Sequence, residues 1–372
     1  MVRVSFVAAP VKRDFFLRMI QHFSGSVETE VLAPSYPRTR AGPQGSALGN
    51  VFESIAGDSE TRTALAKFNP DVVYTDSPLY ASHLKLSQFT GQHKIPIIVH
   101  LRGDLWREFI EWGKRSRVKS RVLGSPLYAS SLLGVALADR VTPICRWLER
   151  EVRRHLPSKP TDVVYQGVDP TEFFPTRGID MKHPAVAIIQ NHTVYEKTLG
   201  LLNFGKAISK LPEVHFYVSS GEDIRQSYFP LVKQSLGLFK NVHFLSGIGY
   251  PEGVRRLLAN SDLYVLASNL DCCPTTVLEA SLMRKPVLGS RVGGVPETIS
   301  DGLTGWSIDN ANIGEWVNRI QMLVDDSKLS KELGEQGRRW VSANFGWATI
   351  APKVEQLIIN EVERKGRSDY EY

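Results

Sequence analysis

Ser268-Asn-Leu-Asp-Cys-Cys-Pro-Thr-Thr-Val-Leu-Glu-Ala280, continued by Lys285-Pro-Val-Leu-Gly-Ser-Arg-Val-Gly-Gly-Val-Pro-Glu297, is the stretch from which the fold of this chain can be read. Before it stands Leu263-Tyr-Val-Leu-Ala267, a short apolar run bounded by a charged residue and polar ones, the pattern of a strand buried in a parallel sheet. Pro274 fixes φ and needs no backbone donor, so a helix is expected from Pro274 or Thr275 to about Met283. The first-turn amides of such a helix, at the carboxyl edge of a parallel sheet, form an anion site, and Asp271 and Glu279 flank it. An anionic ligand that also carries hydroxyls suits all three features.

The 372 residues suggest about two domains. Working outward, runs of the same buried kind recur at Val2–Ala8, Glu28–Leu32, Asp71–Thr75, 95–100, Ala138–Pro143, Ala185–Gln190, Val214–Val218 and Asn241–Leu245. Helical patterns alternate with them, which predicts doubly wound α/β architecture with ligands at the strands' carboxyl ends. Three cysteines, two of them adjacent, make neither a disulfide framework nor a zinc pattern, and with no secretory signal at the start a cytoplasmic location is expected. The net charge of +6 is uneven: residues 1–170 hold 23 Lys and Arg against 16 Asp and Glu, the remainder 22 against 23. A basic first half fits an anionic surface or substrate on that side, but without a nucleic-acid-binding motif.

Two segments of the first half carry polar groups of interest. His100 and Arg102 stand two apart at a strand end, followed by Asp104; the alternatives are a reactive trio or a buried histidine beside an Arg102–Asp104 pair. In Leu105–Arg121, Leu105, Trp106, Phe109, Ile110 and Trp112 recur at helical spacing with five cations close behind. Such a stripe fits a peripheral membrane contact or an ordinary amphipathic helix. Val122–Ala138 is too short and too polar for a membrane span and reads as a buried helix.

Asp271 and Glu279, with Pro274 between them and Ala280 after, closely resemble the acidic-x7-Glu motif of the retaining glycosyltransferases of family 4. Lys197 in a strand–loop–helix context, Gly293-Gly294 and Asp301-Gly-Leu-Thr-Gly305 follow the same family order. The resemblance implies a GT-B fold: two Rossmann-like domains facing a central cleft. Residues 1–170 would bind the acceptor, 171–347 the nucleotide-sugar donor, and a helix in 348–372 would cross back to the first domain.

It further implies that Glu279 binds the ribose, that Asp271 meets hydroxyls of the donor sugar, and that Lys197 holds the diphosphate. Cys273, Pro274, Thr275, Thr276 and Val277 would complete the donor site. His192 stands where the family has Arg, lacking its fixed charge and fork, so diphosphate binding should be weaker or more sensitive to pH. Arg102 stands near a position where many relatives carry His. Asp271, Lys197, Arg102 and His100 are the expected catalytic residues, and Lys12, His100, Arg102 and Asp104 the acceptor side. No metal or other cofactor is expected. The implied reaction moves a sugar from a UDP- or GDP-sugar to a hydroxyl of a carbohydrate or lipid-linked acceptor, with retention. Alternatives are a non-catalytic sugar-nucleotide-binding or partner subunit, or an epimerase or phosphorylase of the same fold.

Overall fold

The computed structural model describes residues 1–8, 13–33, 59–88, 95–115, 118–192, 194–219 and 228–368. The chain divides into two compact units: Met1–Gly167 with Trp347–Tyr372, and Val168–Gly346. Both are parallel-sheet α/β domains.

In the first unit, β1 (Val2–Val7), β2 (Val27–Leu32), β3 (Val72–Thr75), β4 (Ile97–Leu101) and β5 (Arg140–Pro143) pair in the order β2-β1-β3-β4-β5, all parallel. The helices of this unit are α1 (Arg13–Ile20), α2 (Ser59–Phe68), α3 (Pro78–Gln88), α4 (Leu105–Arg115), α5 (Val118–Leu137), α6 (Arg146–His155) and, from the far end of the chain, α13 (Trp347–Ser368). Every residue of β3 and β4 is buried, as uninterrupted apolar runs require when helices cover both faces of a sheet. Val4, Phe6, Phe16, Tyr74 and Ile98 pack with Trp347, Ile350, Val354 and Ile358, so α13 completes this core. Polar ties fix it further: Glu355 accepts from the Ser24 amide and hydroxyl at 2.8 and 2.9 Å, and Arg140 donates to the buried Glu361 at 2.9 Å.

In the second unit, β6 (Ala185–Ile189), β7 (His215–Ser219), β8 (Val242–Leu245), β9 (Leu263–Leu266), β10 (Val287–Ser290) and β11 (Gly305–Ile308) form a parallel sheet in the order β11-β10-β9-β6-β7-β8. Around it lie α7 (Tyr195–Ile208), α8 (Phe229–Leu236), α9 (Glu252–Asn260), α10 (Thr275–Leu282), α11 (Ile313–Asp325) and α12 (Ser327–Phe345), with a 3-10 turn at Val295–Thr298. Phe204, Phe216, Phe229 and Trp316 anchor the core between the sheet, α7, α8 and α11. Strand order reverses between β9 and β6, the kind of switch point beside which open α/β sheets bind their ligands.

Local expectations differ from the structure at identifiable places. The helix expected from Leu199 starts at Tyr195, which brings Lys197 into its first turn. The helix α8 was not anticipated from the sequence; Pro230 sits in its first turn, where a missing amide costs nothing. The helix expected to be buried at Val122–Ala138 spans Val118–Leu137 with Pro126 inside it, and among its described side chains only Gly134 and Val135 are buried. Ser130 and Ser131 are half-buried, and the Ser130 hydroxyl lies 2.7 Å from that of Ser82 in α3. Among the described residues, no helix is long and apolar enough to cross a membrane.

Candidate functional site

The segments after β6 and β9 bring two predicted residues together. Lys197 lies in the first turn of α7, and Asp271 lies in the loop between β9 and α10; the Lys197 ammonium donates to Asp271 Oδ2 at 2.7 Å. The loop can reach α7 because residue 200 is glycine: a Cβ there would stand 2.4 Å from Ser268 Cα. Asp271 is held on its other sides as well. Its Oδ1 accepts from the Cys272 amide at 3.0 Å, and its backbone carbonyl accepts from the Gly294 amide at 3.0 Å. Gly293 makes that approach in the left-handed region, φ 54°, where a Cβ would fall 2.0 Å from the Asp271 carbonyl oxygen. The Gly293-Gly294 pair is thus a brace for Asp271.

The helix α10 starts as the sequence predicts. Pro274 occupies the N-cap with φ −70° and ψ 112°, no side chain caps the end, and Val277 closes a tight first turn by donating to the Pro274 carbonyl at 3.2 Å. Thr275 and Thr276 are half-buried and Val277 fully buried; Cys273 is buried at the loop's end. Glu279, one turn further, is 1% exposed and accepts from the Tyr250 hydroxyl at 3.3 Å. An uncapped positive helix end beside a lysine and two carboxylates combines anion binding with hydroxyl binding.

Sequence reasoning missed the residues that hold this arrangement. The buried hydroxyl of Tyr264 in β9 lies 2.8 Å from the Ile189 carbonyl and 2.7 Å from Thr276 Oγ1, tying the end of β6 to the first turn of α10. Burial, with Glu279 and Asp271 nearby, pushes its ionisation well above the ordinary tyrosine range, while Thr276 and Ile189 pull the other way. Gln190 donates to the Lys197 carbonyl at 2.9 Å. Tyr250, more than half exposed, lies in a loop whose sequence bears no periodicity. Only contact across the fold identifies these residues.

His192 is packed rather than presented. Its ring is 1% exposed, lies against Phe229 with centroids 5.2 Å apart, and has Nδ1 3.3 Å from Thr198 Oγ1. Burial lowers its pKa to about 4, against a partial opposing effect of the Ser219 backbone. The ring is therefore neutral near neutral pH and, as its residue type implies, supplies no fixed charge at the position where the family has Arg.

The first-unit trio also separates. His100 is 0% exposed, flanked by Phe15 and Tyr74 at 5.6 and 6.0 Å, with Nδ1 3.2 Å from Thr142 Oγ1. Burial foremost, then the Arg102 charge, lowers its pKa to about 3. His100 thus stands as a packed interior ring between Phe15 and Tyr74. Arg102 shares its face, as the two-residue spacing predicts: its guanidinium lies 4.6 Å from the Phe15 ring centroid, donates to Gln166 at 2.8 Å and stands 3.7 Å from Asp76. It does not pair with Asp104. Asp104 is buried and accepts from the Arg107 amide at 3.1 Å, the geometry of a helix cap for α4. Lys12 lies outside the described residues.

Of the aromatic stripe, Trp106 stacks on His155 at 4.6 Å and Phe109 packs on Tyr128 at 5.3 Å, both inside the first unit, while Ile110 is exposed; side chains from 111 to 125 lie outside the described residues. Among the described residues no cluster of three or more His, Cys, Asp or Glu could hold a metal ion.

Two family models match the chain. The one described as Glycosyl transferases group 1 matches residues 192–340, the unit holding Lys197, Asp271 and Glu279, and the one described as Glycosyltransferase Family 4 matches residues 16–172. The chain belongs to the family 4 glycosyltransferases. Its relatives include the N-acetyl-alpha-D-glucosaminyl L-malate synthase of Bacillus anthracis, 26% identical over 63% of this chain and 64% of that enzyme, and the alpha-maltose-1-phosphate synthase of Mycolicibacterium smegmatis, 25% identical over 64% and 68%. The aligned part is thus about two thirds of those enzymes' length. Among solved structures, sucrose-phosphate synthase from Thermosynechococcus elongatus superposes with a TM-score of 0.76 at 15% identity over 97% of this chain and 99% of that one. Anabaena HepE in complex with UDP gives 0.68 at 16% identity over 97% and 100%. These likenesses establish the GT-B fold of this glycosyltransferase.

Proposed function

We propose that this glycosyltransferase moves a sugar from a nucleotide-sugar donor, a UDP- or GDP-sugar, to an acceptor hydroxyl, with retention of configuration and without a metal. The observation that carries the proposal is the Lys197–Asp271 contact beside the uncapped start of α10, with Glu279 buried one turn on.

In this reading the donor diphosphate lies against the α10 amides and the Lys197 ammonium, which balance the charge that builds as the glycosidic bond breaks. Lys197 can leave Asp271 for the phosphate, and Asp271 then faces the sugar hydroxyls. Glu279 accepts from the ribose, with Tyr250 fixing one of its oxygens. The acceptor attacks from the face the diphosphate leaves, and the departing phosphate takes the acceptor proton; this step rests on positioning rather than on a protein base. Complexes of Anabaena HepE with UDP and with UDP-glucose make a uridine donor the first to test. A carbohydrate or lipid-linked hydroxyl is the acceptor proposed, in the cytoplasm. A membrane contact through Leu105–Arg121 would rest on Ile110 and the cations, since Trp106 and Phe109 are used internally.

The test is thermal shift and slow donor hydrolysis with UDP-, GDP- and ADP-sugars, in chelator, for wild type and Glu279→Ala. One donor should stabilise the wild type and be hydrolysed, and Glu279→Ala should lose both. If no nucleotide sugar moves the melting curve, the donor site is degenerate and a non-catalytic partner subunit becomes the better reading.

A further inference from the structure

Away from Lys197 and Asp271, at the amino-terminal ends of the second unit's strands, two histidines meet. Tyr217 of β7 pairs in register with His243 of the edge strand β8, so His215, two residues upstream on the same face, lies diagonal to His243. His215 Nδ1 and His243 Nε2 are 3.1 Å apart, and both residues are half-buried. We propose that His215 and His243 form a two-imidazole site for one borderline divalent transition ion, Zn2+, Ni2+ or Cu2+, clamping the edge strand β8 to β7.

The separation suits coordination. Two nitrogens each about 2.05 Å from one ion and 3.1 Å apart subtend roughly 100°, between octahedral and tetrahedral values. One ring is already oriented: His243 stacks on Tyr217 at 4.6 Å and 22°, and the Tyr217 hydroxyl is held by the Lys182 amide at 2.6 Å. Lys182 and Tyr217 stand beside the two rings. Imidazole donors without a carboxylate favour these ions over Mg2+ and Ca2+. No third His, Cys, Asp or Glu joins the pair among the described residues, so water would fill the remaining positions and the ion would exchange readily. The Lys182 charge opposes the ion, which also favours exchange. A plain N–H···N hydrogen bond between the rings is the competing account.

Calorimetric titration of tag-free, chelator-stripped protein with zinc, nickel and magnesium separates the two accounts. The wild type should bind one more zinc or nickel ion than His215→Gln or His243→Gln, whose affinity at this site should fall tenfold or more, while magnesium gives no heat. His183→Gln, altering a histidine paired with Asp262 at the same end of the sheet, should behave as wild type. Copper electron paramagnetic resonance on the unmodified protein covers the case of a variant that fails to fold and should show two coordinating imidazole nitrogens. Equal binding by the wild type and both His→Gln variants, no uptake at millimolar zinc, or fewer than two nitrogens around copper overturns the proposal.

Discussion

The carboxyl end of β4 in the first unit and those of β6 and β9 in the second present similar polar residues, and the fold treats them differently. At β4 each group is absorbed locally: His100 into an aromatic stack, Arg102 onto Phe15, Gln166 and Asp76, Asp104 into the cap of α4. At β6 and β9, Lys197 and Asp271 turn to each other with side chains still 23% and 11% exposed, beside a helix start that no side chain caps. A charged residue at a strand end therefore signals chemistry only where the neighbouring elements do not already use it. The strand-order reversal in the second sheet is what withholds those neighbours.

The largest expected effect breaks or keeps this contrast directly. Lys197→Ala should lower the rate of donor hydrolysis or transfer by about 10²–10³, the usual loss when one preorganised electrostatic partner is removed. It also leaves Asp271 without its cation, so the melting temperature should drop. His100→Gln, by contrast, should leave the rate within a few-fold of wild type once the protein is folded. Steady-state rates for both decide it: equal losses would put His100 back into the chemistry.

Acid stability sharpens the comparison, because among the described residues each unit buries one histidine. The folded-state pKa values, about 3 for His100 and about 4 for His192, lie below the ordinary 6.5. The unfolded chain therefore binds protons that the folded chain refuses. Their contribution is full above pH 6.5 and is lost as pH falls toward 4 and then 3, on the order of a few kcal/mol for each ring. Urea melts between pH 7 and pH 4.5 should show stability falling, and His100→Gln and His192→Gln should each flatten the slope. A wild-type slope unchanged in both variants would place the acid sensitivity elsewhere.

The same contrast explains what the sequence disclosed. Asp271, Pro274 and Glu279 were legible because a proline-started helix at a strand end has a short-range signature, and the doubly wound order was legible from alternating apolar runs. The packing of His192 was not legible because Phe229, which lies against it, is 37 residues on, at the first residue of helix α8. His100 looked reactive for want of knowing that Phe15 and Tyr74 flank it. Tyr264 was invisible because a tyrosine inside an apolar strand has no pattern to announce where its hydroxyl ends. Residues whose role depends on long-range packing are those that short-range periodicity cannot rank.

A smaller effect comes from the brace behind Asp271. Gly293→Ala would put a Cβ against the Asp271 carbonyl at a φ that disfavours it, costing about 1–3 kcal/mol of stability. Because the carbonyl must retreat, donor hydrolysis should fall together with the melting temperature. Gly247→Ala, also at positive φ but with open space around the new methyl, should lower stability without a loss of donor affinity. If both variants lose donor affinity equally, the brace is not specific to Asp271.

The smallest expected effect tests the absorbed side of the comparison. Asp104 accepts from the Arg107 amide at 3.1 Å and is 4% exposed, so Asp104→Ala removes a cap and should cost about 0.5–2 kcal/mol. Asp104→Asn and Asp104→Ser keep an acceptor at the cap and should restore most of that stability. Neither should change the rate of transfer, because a capping oxygen needs no charge and touches no substrate. An acceptor-side carboxylate behaves otherwise: Asp104→Asn would keep the melting temperature and lose transfer while donor hydrolysis continued. Measuring those two rates on this one variant therefore distinguishes a residue spent on folding from one reserved for the acceptor.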